Sequence, residues 1–433
     1  MSMTLELQPI PSHTHRNEVS DPFEPAADVQ VARAKQKWNE PSINKYRLAA
    51  TSIAFALVGA SDGVYGALVP YIRPDYDLST TVTSLIFVTP FVGYTIATAI
   101  VNTVHMRLGQ RGIAVIGPLC HLIPFLVMAI HPPYIVMLIM YVIVGLGNGL
   151  VDAAWNSWTA DMASANVFVG MLGAFYGIGA TLSPLIATQL ISTDRSWYTF
   201  YWTLVGGAAL ELVTSTAAFW TATAEEYREH NARVGGGDEK SRTWEAAKSP
   251  ITWLMSAFLF IYMGVEVSVG GWIVDFMIHV RHGSEYESGL IPTGFWAGVT
   301  VGRIVLGFAN EYLGERVAIA GYLGLSVVVQ LIFWFVPKFV VSAVAVSFLG
   351  FFTGPLFPGA IVVAAKLLPK HLHTPGIGII SAFAGSGAAI LPFVGGAILG
   401  TTGVQSLQPF VLSLLASLIA IWILLPKRKH NES

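Results

Sequence analysis

Apolar stretches of about 20 residues, the length a helix needs to cross the hydrocarbon core of a bilayer, recur twelve times along this chain. They run near 48–71, 82–104, 112–130, 134–157, 167–191, 198–221, 251–279, 288–309, 317–336, 339–364, 375–399 and 407–425. The 433 residues are 54% hydrophobic and 12% charged, against about 25% charged in an ordinary soluble domain. The expected fold class is therefore an all-α integral membrane protein with twelve transmembrane helices in a lipid bilayer.

One long polar segment, 222–250, lies between the sixth and seventh stretches, and its Gly235-Gly236-Gly237 run and alternating charges predict a flexible linker. The expected organisation is a disordered N-terminal arm over 1–46, a six-helix half over 47–221, the linker, a second half over 251–426 and a short tail over 427–433. No apolar core follows a basic start in the arm, so no cleavable signal peptide is expected. Counting lysine and arginine by loop places nineteen on the side of both termini and four opposite, with Arg303 inside a span. Cytosolic loops carry the excess of Lys and Arg, so both termini are expected in the cytosol, with the plasma membrane as the location. The one cysteine, Cys120, excludes an intramolecular disulfide and a cysteine-based metal site. The histidines show no metal-ligand spacing, and no cofactor and no metal are expected.

The two halves repeat at a fixed offset. Gly59 and Gly264 differ by 205 positions, as do Gly93 and Gly298, Leu108-Gly109-Gln110-Arg111 and Leu313-Gly314-Glu315-Arg316, and Gly145/Gly149 and Gly350/Gly354. Beyond the fourth stretch the offset becomes 208, where Phe175–Pro184 matches Phe383–Pro392. Two six-helix units repeating in parallel imply a two-fold axis along the membrane normal, with a binding site near the bilayer midplane between them.

Polar groups at mid-span should then mark that site. Tyr141 to Trp158 carries Asn148, Asp152 and Asn156 at i, i+4 and i+8, on one face of a helix. A carboxylate inside hydrocarbon costs several kcal/mol unless it faces a cavity or a partner, which makes it a functional-site candidate. The competing role is a polar stripe that glues two helices together. The equivalent segment of span ten, TGPLFPGAI over 353–361, keeps the glycines without acid or amide, so the shared scaffold does not impose the stripe.

These residues resemble the major facilitator superfamily. Its signature loop after the second span reads G-x-x-x-D-(R/K)-x-G-(R/K)-(R/K), and the copy after the eighth span keeps Gly307, Glu311, Gly314 and Arg316, with Tyr312 and Glu315 in place of basic residues. The first copy keeps Arg107, Gly109 and Arg111 but has Asn102 for the glycine and Met106 for the acid. Within the superfamily the chain is most similar to the fucose/glucose–proton symporter group and its fungal relatives. Asp62 in GASDGVYGALVP, Asp152 and Asn156 in DAAWN, and YMGVEVSVGGWIVDF around Glu266 carry that similarity. In that group an Asp in span one and an acid four residues before an Asn in span four are linked to proton coupling and sugar binding. The resemblance implies the major facilitator fold, proton-coupling roles for Asp62 and Asp152, and gating roles for Arg107, Gly109, Arg111, Gly307, Glu311, Gly314 and Arg316. By placement, Glu266 on the partner half is a further proton-coupling candidate, and Arg303, one turn before Gly307 toward the cytosolic end, is expected to be structural or gating.

Proton coupling needs a group that exchanges its proton with either side, and low dielectric disfavours the charged form of a carboxylic acid. Sugars present hydroxyls and flat C–H faces, so their sites pair amides and carboxylates with aromatic rings. Tyr65, Asn148, Asp152, Asn156, Trp272 and Trp296 are the expected substrate contacts; Trp272 and Trp296 serve equally well as bulky packing. Thr293, Trp296, Thr300 and Arg303 give span eight one polar face, Glu211 in span six has no assignable partner, and Asp275 near the outer end of span seven is expected to be solvated. No Walker A sequence, nucleophile elbow, zinc-ligand pair or dinucleotide fingerprint is present, so an enzyme is not expected. The expected activity is secondary active transport, proton-coupled, of a sugar or similar small polar solute by alternating access. The alternative is a proton-antiport exporter of a secondary metabolite or drug. The expected partners are that solute and protons, with no nucleic acid, and the chain is expected to work as a monomer.

Overall fold

The computed structural model describes residues 36–232 and 239–426; the side chains of Asn166, Glu311 and residues 229–232 and 239–240 lie outside that description. Ten helices are long and apolar enough to cross a membrane, and a bent pair, Ile43–Gly63 with Tyr65–Asp75, makes an eleventh. The helical run Leu85–Ala129 has 45 residues, about 68 Å at 1.5 Å per residue, more than twice the ~30 Å hydrocarbon core. It is two spans. Gly109, with φ 71° and ψ −171°, takes the backbone out of the helix there, so the twelve expected crossings are present.

We number the crossings α1 (Ile43–Gly63 with Tyr65–Asp75), α2 (85–108), α3 (110–129), α4 (Tyr134–Ala160), α5 (Ala165–Ser192) and α6 (Phe200–Phe219). The second half holds α7 (Pro250–His279), α8 (Ile291–Leu313), α9 (Glu315–Phe335), α10 (Phe339–Thr353 with Leu356–Leu367), α11 (His373–Thr402) and α12 (Leu407–Leu424). The arm expected over 1–46 ends sooner, since α1 begins at Ile43 and Gln36 already contacts the body: its carbonyl accepts from the Ala163 N–H. The rest of the arm, 1–35, and the tail, 427–433, lie outside the described residues. The linker forms two short helices, Ala224–Ala232 and Glu239–Lys248.

Two glycine pairs that repeat at offset 205 do the same work in both halves. Without a hydrophobic drive between helices in lipid, small residues let backbones approach and pack. A Cβ on Gly93 or Gly145 would strike the carbonyls of Val142 and Pro90, closing α2 onto α4. The counterparts Gly298 and Gly350 would strike the carbonyls of Ser347 and Phe295, closing α8 onto α10. In the same way Gly59 and Gly63 face the backbones of Tyr176 and Ala180, so α1 and α5 touch along a seam of small residues.

Two breaks expose backbone where the spans cross mid-membrane. α1 bends by 46° between Gly63 and Tyr65, directly after Asp62. α10 breaks at Gly354–Pro355; Pro358 has no N–H to return to the Gly354 carbonyl four residues earlier.

The halves meet at the end away from the termini. Arg73, at the end of α1, donates twice to Asp275 of α7 at 3.0 Å, Tyr71 donates to Glu285 at 3.2 Å, and a Cβ on Gly66 would strike the Gly270 carbonyl. Asp275, expected to be solvated, has a side chain that is 0% exposed. It is paired because the bent α1 delivers Arg73 to it. The contact of α5 with α8 and the short helix before it runs from Gly289 on Thr188 to Gly177 on Thr300; nearer the termini, a Cβ on Gly170, Gly173 or Gly307 would meet no atom within 4 Å. The space between the halves therefore opens toward the termini.

Removing one member of a desolvated ion pair strands its partner, here only in the state in which this end is shut. Asp275→Asn is expected to shift the population toward opening at this end, by about tenfold for each 1.4 kcal/mol of coupling lost. A cysteine at Thr81, which packs against Gly400, in a chain with Cys120→Ser, should react about tenfold faster with an impermeant maleimide added at that face. An unchanged labelling rate would show that the pair does not hold this end closed.

Candidate functional site

Asp62 sits at the bend of α1, and the α1–α5 glycine seam brings the Tyr176 hydroxyl to its Oδ2 at 3.1 Å. Asn148 Nδ2 of α4 donates to Oδ1 at 3.5 Å. Asp152, one turn along α4, accepts from Tyr94 of α2 at 2.6 Å and from Asn156 of its own helix at 2.8 Å. Gly149 allows the Tyr94 contact, because a Cβ there would lie 3.1 Å from the Tyr94 carbonyl. Asp62, Tyr94, Asp152, Asn156 and Tyr176 are only partly buried although they lie mid-span, so they border the space between the halves.

The polar stripe of α4 thus divides its contacts between two helices. Asn148 supports Asp62, and Asp152 with Asn156 supports Tyr94. Every donor to these two carboxylates is neutral. The buried carboxylates among the described residues differ: Glu211 pairs with His121, Glu266 with Arg303 and Asp275 with Arg73.

The facing cluster belongs to α7, α8 and α10. Arg303 Nη2 lies 3.1 Å from Glu266 Oε1, and the Tyr262 hydroxyl donates to the same carboxylate from one turn earlier. Arg303 Nε donates at 3.3 Å to the Gly354 carbonyl that the α10 break leaves free. So Arg303 works mid-membrane with Glu266, whereas its position toward the cytosolic end of span eight suggested a gate. Gly177 brings α5 against Thr300, one turn before Arg303, and Tyr176 is its neighbour on the same turn of α5. Tyr176 therefore stands between the two clusters.

The expected aromatic contacts divide. Tyr65 packs edge-on against Phe87 and Tyr141 with its hydroxyl buried and without a partner. Trp296 lies against Gly270 with its Nε1–H likewise unpartnered, and Thr293 Oγ1 and Asn148 Oδ1 are in the same condition. Buried polar atoms normally find partners, so each of these four has a hydrogen bond left to make. Trp272 is placed differently: its ring is 0% exposed, its Nε1 donates to the Pro392 carbonyl at 3.0 Å, and it packs at a tilt against Phe87. It plugs the closed end.

The expected gating residues lie within, not between, the halves. Gly109 and Gly314 turn the chain with φ 71° and 77°. Arg107 is exposed, and Arg111 lies 5.2 Å from the Trp220 ring. Arg316 donates to the Leu425 and Pro426 carbonyls, and Glu315, where a basic residue is usual, pairs with Lys366 at 2.6 Å. Gly307 faces open space, and the Glu311 side chain lies outside the described residues. Tyr94, Tyr176 and Tyr262 were invisible from sequence; tyrosines facing acids at shared glycine seams are the signal that would have found them.

The family model of the Major Facilitator Superfamily matches residues 51–280 and 254–433. Bypass of stop codon protein 6 of Saccharomyces cerevisiae is 28% identical, covering 90% of this chain and 84% of its own. The glucose/mannose transporter GlcP of Bacillus subtilis is 20% identical over 78% of this chain and 84% of its own. A solved bacterial homolog of the human lysosomal transporter Spinster, in an inward-facing and occupied conformation, superposes with a TM-score of 0.66 at 13% identity, covering 88% of this chain and 96% of that one.

Proposed function

Because this chain belongs to the Major Facilitator Superfamily, we propose that it is a proton-coupled symporter that imports a sugar by alternating access. The observation that carries this reading is the Asp62–Asp152 pair, two mid-membrane carboxylates whose donors are all neutral. Such groups persist in a membrane when they bind a proton or a polar guest. The similarity to a glucose/mannose transporter supports a hexose as the guest.

Asp62 is the proton carrier. Its hydroxyl donor, Tyr176, also faces the Glu266–Arg303 pair of the other half, so a change of charge at Asp62 is felt where the halves meet. Asp152 and Asn156 accept and donate to sugar hydroxyls from one side. Thr293 and Trp296 do so from the other, and the unpartnered Tyr65 hydroxyl of α1 is a further contact. Arg303, tied to Glu266 and to the broken α10, holds the second half in register. The excess of basic residues on the side of the termini supports cytosolic termini and a plasma-membrane location, with the opening in this conformation facing the cytosol. The chain works as a monomer, since each half supplies part of one site.

The test is uptake by proteoliposomes with an inward proton gradient, offered labelled glucose, mannose, galactose and fucose beside a panel of aromatic acids. The proposal expects one or more hexoses to accumulate above equilibrium. Accumulation of an aromatic acid alone would overturn the sugar assignment, and gradient-driven efflux would reverse the direction.

A further inference from the structure

Glu211 was left without a partner by its position in span six, and the structure supplies one. His121 of α3 places Nδ1 2.8 Å from Glu211 Oε2 of α6, with side-chain exposures of 1% and 0%. One proton belongs to that hydrogen bond, whether the pair is written as imidazolium with carboxylate or as imidazole with carboxylic acid. Loss of that proton would leave a net charge inside the membrane.

Three observations separate this pair from a structural bridge. Its remaining polar atoms are not saturated, since His121 Nε2, Glu211 Oε1 and the nearby Ser215 Oγ are buried without partners. It also lies directly behind the candidate site. Gly147 of α4 leaves room for the imidazole, as a Cβ there would lie 2.7 Å from both His121 Cδ2 and Nε2, and the next residue, Asn148, is the amide that donates to Asp62. One layer of α4 backbone therefore separates the imidazole from the amide that holds Asp62.

The third observation comes from the repeat. The equivalent helices of the second half, α9 and α12, are joined by a buried amide pair, Gln330 Nε2 donating to Gln408 Oε1 at 2.6 Å. A neutral pair therefore suffices to join these helices, and the scaffold does not demand ionisable groups.

We propose that His121–Glu211 is a second proton-holding unit that sets the proton affinity of Asp62 through α4, as a positioning pair for coupling and not as a substrate contact. The titratable neighbour on its own helix is Cys120, which borders the same Gly147, and Asp62 of α1 lies beyond Gly147 and Asn148 of α4. Asp62 in turn faces Asp152 of α4, Tyr94 of α2 and Tyr176 of α5. The proton on the pair stays there during transport. The field it creates under Asp62 is what the translocation cycle uses.

This inference rests on the proton-coupled reading above, and the experiment separates the two. The double variant His121→Gln/Glu211→Gln rebuilds the amide pair of the second half without a titratable proton. It is expected to reach wild-type amounts in the membrane and to keep sugar counterflow at equal pH on both sides. The pH at which gradient-driven uptake is half-maximal should move by about half to one unit. Should the double variant not accumulate in the membrane, Glu211→Gln alone, which keeps a hydrogen bond to His121, is read by the same displacement. An unchanged pH profile in a folded variant would overturn the inference while leaving the transporter reading intact. A wild-type protein whose uptake ignores the pH gradient would overturn both.

Discussion

Asp62→Asn is expected to abolish accumulation against a gradient, bringing the internal-to-external sugar ratio to one, while counterflow at equal pH persists. Asparagine keeps the size of the side chain and an oxygen that accepts from Tyr176, so the α1–α5 seam and its glycines are undisturbed. What it loses is the change of charge. Asp62 has only neutral donors, so its ionised form is an uncompensated charge that must be neutralised before the halves can close around it. Asparagine is neutral in every state, which leaves the rocking motion free of the proton gradient. Asp152→Asn offers the comparison: with Tyr94 and Asn156 both donating to it, it is expected to weaken sugar binding at least tenfold, read as a rise in the half-saturating concentration. If Asp62→Asn accumulated sugar as well as the wild type, the carrier assignment would be wrong.

The second large effect concerns stability. Glu266→Ala strands the Arg303 guanidinium at mid-membrane, with the Gly354 carbonyl but no carboxylate left to it. Removing one partner of a buried ion pair costs about 3–5 kcal/mol, whereas replacing both by apolar groups of similar volume is often neutral. Glu266→Ala should therefore be recovered in small amounts and unfold at markedly lower denaturant or temperature. Glu266→Leu/Arg303→Met should regain most of that stability. Equal losses in the single and double variants would show that the pair is not what holds α7, α8 and α10 together.

The parts of this molecule legible from sequence were those fixed by the solvent and by backbone contact. Bilayer thickness dictates the length of apolar runs, so the twelve crossings could be counted even where Gly109 alone divides two of them. Glycines at offset 205 were visible as a repeat, and for Gly93/Gly298 and Gly145/Gly350 the structure gives the reason: each lies where a neighbouring helix carbonyl leaves no room for a Cβ. Asn148, Asp152 and Asn156 were legible as one face of one helix. Their division between Asp62 and Tyr94 was not, because it depends on which helix stands opposite each turn.

Pairings between distant helices account for the rest. Asp275 looked solvated because its position near the end of α7 says nothing of Arg73, 202 residues earlier, which the bend of α1 brings to it. Glu211 had no partner in sequence because His121 lies 90 residues away on another span. Trp272 and Trp296 carry the same ring 24 positions apart, but only the structure separates the plug, bonded to Pro392, from the ring whose N–H is unmet.

Sugar and proton entry followed together in the same vesicles test the central claim most directly. Purified protein in proteoliposomes at equal initial pH, with a trapped pH-sensitive dye and an outward-to-inward step of labelled hexose, should show internal acidification that starts with sugar entry and stops when sugar is withheld. Asp62→Asn vesicles should take up sugar without acidifying. Sugar entry with no proton movement in the wild type, or alkalinisation as sugar enters, would contradict the account.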